Sequence, residues 1–448
     1  MNKITSENLP SYVLSYLKKY FIDHWEIECN SNKRFKNIVV IPAIKEYENI
    51  LKLLNSISEN ESDYFDETLF LFVINNPESC NTEIINENKN TIELLRSIIN
   101  KNLQSELAYK IYDNKINIGF VDASSKGYEL PDKDAGVGLA RKIGMDLALR
   151  IFDYNNPKKN ILISLDADCL IAKNYLNKIV EAFNQKNVNA AVVYYEHLLP
   201  DSEGEKLAII NYEIFLRYYV LGLKYSNSHY AYHSIGSTIV CDTETYCKAG
   251  GMNKRKAGED FYFLEKLAKI TTINHINSTT VFPSSRSSWR VPFGTGKSIS
   301  KYLNEKNEYK LYNPECFNIL KQWLLIFHNK TIKDAQYYLT ESEKIHFRLR
   351  EFLELNSFET AWENILSNSK NDEQIQKQKL YWFDAFRTMK LIHYLRDTDF
   401  PPVNMFDAVD DLLKMMNYHF EINRNELIPD VNTQLKYLYC LRDICRQL

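Results

Sequence analysis

Residues 161–168 read ILISLDAD, an apolar run that ends abruptly on two aspartates. A short apolar stretch of this kind suits a parallel strand buried on both faces. Asp166 and Asp168 stand two apart, and on an extended segment that spacing turns both side chains to one face. Two carboxylates so placed repel one another and stay ionised together when a cation is bound between them. The pattern therefore predicts a hard-oxygen site for Mg²⁺ or Mn²⁺ that carries a phosphate-bearing substrate. The bland alternative is a strand that merely ends in acid, so the surrounding chain has to decide.

Upstream, NIVVIPAIKEYENILKLLNSI (residues 37–57) predicts a buried strand that Pro42 stops, followed by a helix with Ile50, Leu51, Leu53, Leu54 and Ile57 inward. TLFLFVINN (68–76) is a second strand ending in polar Asn75 and Asn76. Residues 81–110 look helical, IYDNKINIGFV (111–121) holds another strand, and GVGLARKIGMDLALRIF (136–152) reads as an amphipathic helix. Strand and helix in alternation predict an α/β fold with a mostly parallel sheet. In such sheets ligands sit beyond the carboxyl ends of the strands, where residues 42–46, 75–77 and 166–168 fall.

Residues 1–35 read as a helical lead-in and residues 36–309 as the sheet domain. Beyond residue 310 the chain changes character: glycine is absent after Gly296, and long helical patterns predict an all-helical region over 310–448. At 448 residues, 45 % apolar and 25 % charged, the chain has ordinary globular composition and room for two or three domains. A net charge of −3 argues against a general nucleic-acid binder. The eight cysteines form no CxxC pair, which argues against a zinc cluster or a small disulfide framework. No apolar run approaches the length of a membrane span, and the amino-terminal residues lack a signal-peptide core.

Two further segments carry chemistry. In KAGGMNKRKAGEDFYFLEKL (248–267), Gly250 and Gly251 permit a tight turn or close approach to a ligand, and Glu259-Asp260 open a helix. A carboxylate there is either a dipole-matched cap or a general base for an acceptor hydroxyl. In SSRSSWRVPFGTGK (284–297), Arg286, Arg290 and Lys297 form a candidate diphosphate clamp, with an exposed loop as the plainer reading. GTGKS (294–298) imitates the end of a P-loop, but Val291 stands where that motif needs its first glycine.

In their order these pieces resemble the family-2 glycosyltransferases of the GT-A fold. Residues 37–57 are similar to that family's first strand, proline-containing loop and helix, LDAD to its metal-binding DxD motif, and GGM followed by GED to its acceptor-side motif. The resemblance covers about residues 37–300. It implies a Rossmann-like GT-A sheet, a Mn²⁺ or Mg²⁺ cofactor, and transfer of a sugar with inversion from a nucleotide-diphosphate donor to an acceptor hydroxyl. It implies a hexosyltransferase-type enzyme of polysaccharide or glycoconjugate synthesis. Carried over residue by residue, Asp168 binds the metal directly, Asp166 holds the donor ribose or the metal's water shell, and Asp260 is the base with Glu259 its neighbour. Pro42, Ala43, Glu46, Asn75, Arg141, Asp166, Arg286, Arg290 and Lys297 fall on the donor side, and Gly250, Gly251 and His233 on the acceptor side. The chain departs from the family at Asn75 and Asn76, which stand where a base-reading aspartate is usual, and near Arg286, where many members place a metal-binding histidine.

The partners implied are a nucleotide-diphosphate sugar and a carbohydrate or glycolipid acceptor, with no nucleic acid. The expected location is the cytoplasm, with peripheral contact at the inner face of the membrane left open. A sugar-nucleotide pyrophosphorylase is the main alternative, but it wants a Gly-rich basic loop where this chain has PAIKEYEN. A P-loop NTPase wants its glycine loop ahead of the acidic strand, and a non-catalytic carbohydrate-binding protein has no need of LDAD and GED together.

Overall fold

The computed structural model describes residues 9–29, 33–285, 309–419, 422–424 and 426–447. The chain forms two compact units, Met1–Pro200 with Ser234–Ser300, and Asp201–His233 with Lys301–Gln447.

In the first unit the described strands are β1 (Ile27–Cys29), β2 (Asn37–Ala43), β3 (Thr68–Asn75), β4 (Asn117–Ala123), β5 (Ile161–Ser164), β6 (Leu170–Ile171), β7 (Ala190–Tyr195), β8 (Ile239–Asp242) and β9 (Ile273–Phe282). They form one mixed sheet in the order β1-β4-β3-β2-β5-β8-β7-β9-β6. The block β4-β3-β2-β5 is parallel throughout, as the buried apolar runs predict. β8 runs antiparallel to both β5 and β7, while β9 pairs parallel with β7.

Alternation along β2 distributes the core. Val39 and Ile41 join Phe70, Phe72 and Ile163 in one apolar cluster with the helix Tyr47–Ser58. Val40 points the other way, with Val73, against Gly144 of the helix Val137–Ala148. Helices therefore cover both faces. That second helix is not amphipathic as expected: every residue from Gly138 to Ala148 is buried, so it is an internal element.

Three local expectations are corrected. Pro42 does not stop β2, because pairing with β3 continues through Pro42↔Val73 to Ala43↔Ile74. It lies beyond β5's last partner, Val40↔Ser164, where the strand has one neighbour. The lead-in is not wholly helical, since the helix Ser11–Tyr20 is followed by β1, which covers the β4 edge. The segment 81–110 is broken at Asn100–Ser105, between two helices that each begin on an Asn or Ser side-chain cap.

The second unit is built of helices and one two-stranded ribbon, Lys310–Leu311 with Val403–Asn404. It takes in residues 201–233, which sequence patterning assigns to the sheet domain. Burial in the helix Glu203–Tyr225 explains the difference. Glu213, fully buried there, accepts bonds from Arg217 Nε (2.8 Å) and from Arg442 Nε (2.8 Å), 229 residues away in sequence. The Phe317 ring fills the space that a Cβ on Gly222 would occupy. Among the described residues no helix is long and apolar enough to cross a membrane, and none of the eight cysteines forms a disulfide.

Candidate functional site

β5 delivers the acidic pair, but not by strand alternation. The strand ends at Ser164, and although the Leu165 N–H still reaches the Val40 carbonyl (3.1 Å), residues 167–168 turn. The Cys169 N–H donates to the Asp166 carbonyl (3.1 Å), closing a one-turn loop. The extended geometry expected for Asp166–Asp168 is thus replaced by a turn, which serves the same end. One ligand atom each from Asp166, Asp168 and Cys169 lie within 4.8 Å of one another.

The donor set fits a hard divalent cation. Both carboxylates are partly exposed, whereas Cys169 is buried. Burial, reinforced by the charges of Asp168 and Asp166, pushes the Cys169 thiol well above its ordinary value, so it stays protonated and offers no thiolate. What remains is oxygen, the chemistry of Mg²⁺ or Mn²⁺.

Arg141 links this turn to the second acidic motif. Its Nη2 donates to Asp166 Oδ1 and its Nη1 to Glu259 Oε1, and its side chain is 2 % exposed. Burial opposes the guanidinium charge, but Asp166, Glu259 and Asp260 outweigh it and hold Arg141 protonated. Gly236 makes room for the guanidinium, since a Cβ there would collide with Arg141 Nη2. Arg141, expected on the donor side, clamps two carboxylates.

Glu259 and Asp260 open the helix Glu259–Ala268 after Gly258 in the left-handed region (φ 69°). Burial pushes both carboxyls up; the Arg141 charge opposes this, and each acid's acidic neighbours reinforce it. Glu259 is buried and committed to Arg141, whereas Asp260 is partly exposed and accepts from the Phe261 N–H (2.7 Å). Of the two, Asp260 has the exposure and the raised proton affinity that suit a general base.

Pro42 and Ala43 end β2 and are buried, and Glu46 is buried at the start of the next helix, where it accepts from Asn49 Nδ2 (2.5 Å). Asn75 Nδ2 donates to the Ala43 (3.0 Å) and Val73 (3.1 Å) carbonyls, so its amide stitches β3 to β2. Gly250 and Gly251 adopt φ of 73° and 69°, and the close approach at Gly251 is made by the Tyr16 hydroxyl. His233 belongs to the second unit. Arg286, Arg290, Lys297 and GTGKS lie outside the described residues.

Sequence reasoning missed the support behind these residues. Asp146 is buried and accepts from Tyr16 (2.7 Å), Tyr246 (2.6 Å) and Lys142 (2.7 Å). This network ties the helix Ser11–Tyr20 to the one that carries Arg141. The i, i+4 spacing of Lys142 and Asp146 was a usable signal; nothing local marked Tyr16.

No family model matches the chain, and no curated protein does. Among solved structures the chain is similar to S. aureus TarS 1–349 in complex with UDP-GlcNAc, at 14 % identity and a TM-score of 0.39, over 87 % of this chain and 94 % of that one. The same protein in complex with UDP aligns over 78 % and 91 %, with 14 % identity and a TM-score of 0.37. The mannosyltransferase PcManGT from Pyrobaculum calidifontis, in complex with GDP-Man and Mn²⁺, aligns over 86 % and 92 %, at 12 % identity and a TM-score of 0.34.

Proposed function

We propose that the chain is a metal-dependent glycosyltransferase of the GT-A type, moving a sugar with inversion from a nucleotide-diphosphate donor to an acceptor hydroxyl. The observation that carries the reading is the Asp166–Arg141–Glu259 chain, which brings a hard-oxygen turn and a candidate base to one place in the fold. Asp168 and Asp166 would hold Mn²⁺ or Mg²⁺. When bound, the ion would supply positive charge to offset the negative charge that develops on the departing diphosphate.

The chain's own residues account for the remaining chemistry. Asp168 would face the ion, while Arg141 orients Asp166 through a charge-assisted hydrogen bond. Asp260 takes the proton of the acceptor hydroxyl as that oxygen bonds to the anomeric carbon. The bond from the same carbon to the diphosphate oxygen breaks, and its electron pair leaves with the diphosphate. A carboxyl whose proton affinity is raised by burial is a stronger base than an ordinary aspartate. The reading includes a hexosyl donor, a carbohydrate or glycolipid acceptor and a cytoplasmic location.

The test is incubation with Mn²⁺ and a panel of nucleotide sugars, read as release of nucleoside diphosphate. The wild type is expected to release it and Asp168→Ala to lose that release. Asp260→Asn should lower transfer by about 10²–10⁴-fold with the fold intact. Full activity in both variants overturns the assignment, and pyrophosphate exchange without diphosphate release points to a pyrophosphorylase instead.

A further inference from the structure

Arg141 stands where a bound ion and a fixed cation would share one carboxylate. Its Nη2 holds Asp166 Oδ1, and among the described residues no other cation pairs with Asp166. The guanidinium is boxed in. Its side chain is 2 % exposed, Nη1 is tied to Glu259, itself buried, and the head fits against Gly236, where a Cβ would lie 2.6 Å from Nη1 and 2.7 Å from Cζ. Lys142, the next residue, is paired with Asp146 (2.7 Å) and adds no net charge. An ion held by Asp166 and Asp168 would therefore meet a fixed positive charge one hydrogen bond away from one of its ligands.

Stability alone does not call for this arrangement. Arg141 Nε is buried without a partner, and an uncharged pair in place of Arg141 and Glu259 would avoid burying charge at all. The electrostatic consequence runs in two directions. Two cations on one carboxylate repel, and in a partly buried site solvent ions screen that repulsion poorly. A diphosphate is a polyanion, so the same fixed charge attracts it together with the ion.

We propose that Arg141 acts as a fixed cation of the metal turn, disfavouring a bare divalent ion and making retention of that ion depend on a bound diphosphate. The inference rests on the glycosyl-transfer reading, which supplies both the ion and the diphosphate.

The experiment titrates the full chain with Mn²⁺ at constant ionic strength and counts the free ion by its electron paramagnetic resonance signal. It is run first with Mn²⁺ alone, then with UDP or GDP, correcting for the ion that the nucleotide holds in solution. For the wild type, the diphosphate is expected to tighten Mn²⁺ binding by about tenfold or more. Glu259→Gln leaves the charge of Arg141 less compensated and should bind Mn²⁺ alone more weakly than the wild type. Arg141→Met/Glu259→Gln should bind it about tenfold or more tightly than Glu259→Gln does, and should gain less from the diphosphate. A double variant with the affinity of Glu259→Gln, or a wild type that neither diphosphate tightens, overturns the inference. If a melting curve shows that the double variant does not fold, the fall in Glu259→Gln and the wild-type response to diphosphate decide. Asp168→Ala is titrated alongside. Mn²⁺ binding that survives it removes the ion from the turn and sinks the metal site of the transferase reading, whereas loss there with an unresponsive double variant sinks the inference alone.

Discussion

Arg141 is a buried cation serving two carboxylates, and the value of such a residue shows when it is removed. Arg141→Met leaves Glu259 buried without a counter-charge and Asp166 without its partner, at a cost of about 3–5 kcal/mol. Thermal denaturation should show a clear fall in the first unit's transition. Adding Glu259→Gln to Arg141→Met should recover part of that loss, because a neutral amide no longer needs the guanidinium. A single variant that melts like the wild type would mean the clamp does not stabilise the fold. The residues of this site were unequally legible in the sequence. LDAD stands out because acid at the end of an apolar run is costly without a purpose, and GED because two adjacent acids open a helix directly after a glycine. The bridge between them was not legible, since Arg141 reaches Glu259 across 118 positions and only the fold brings them together. The part Asn75 plays inside the sheet was not legible for a related reason: its amide donates to the Ala43 and Val73 carbonyls, contacts that polarity at a strand's end does not announce.

The helix Val137–Ala148 does most to position the site, because it presses on the sheet and carries Arg141, Lys142 and Asp146 within two turns. Its contact with the sheet is set by Gly144, where a Cβ would lie 2.5 Å from Val40 Cγ1 and 2.8 Å from Val73 Cγ2. Gly144→Ala should therefore overpack the interface and destabilise the first unit by about 1–3 kcal/mol, despite the better helix propensity of alanine. Chemical denaturation measures this, and a stabilised variant would show that the sheet yields easily. At Gly251 two constraints coincide, a φ of 69° and the Tyr16 hydroxyl occupying the Cβ position. Gly251→Ala is thus expected to disturb the Tyr16–Asp146–Lys142 network as well as the backbone, and to lower the melting temperature more than Tyr16→Phe does. Strands and helices of this unit were readable from apolar period and β-branching. The burial of the helix Val137–Ala148 on all sides was not, because Arg141, Lys142 and Asp146 imitate a solvent face while satisfying one another inside.

At the scale of the whole molecule the second unit has a different chemistry, an aromatic core around a buried lysine. Lys379 is fully buried, with its Nζ 5.6–5.8 Å from the ring centres of Phe327, Tyr338 and Trp362 and donating to the Asn329 carbonyl (3.0 Å). Sequence patterning recovered the helices here but not this arrangement, because Lys379 comes from a helix, Asp372–Trp382, with little amphipathic character. Burial lowers Lys379 to about 8 from an unfolded value near 10.5. The folded state therefore binds fewer protons than the unfolded state between those values, so stability rises with pH from about 8 to 10.5. His328 acts at the other end: burial, with the charges of Lys379 and His229, lowers it to about 4 from 6.5. Stability gained from its neutral form is complete above 6.5 and is lost as pH falls towards 4. Both groups are thus disfavoured as cations in the same unit. Lys379→Met keeps the length of the side chain and removes the charge, and the Asn329 carbonyl still receives Gln376 Nε2 (3.3 Å). The variant should be more stable at pH 7 by about 1–4 kcal/mol and should lose the rise between pH 8 and 10.5 while keeping the acid loss. Denaturant midpoints across pH read both effects at once. A variant less stable than the wild type at pH 7 would mean that the ring contacts outweigh the burial of the charge.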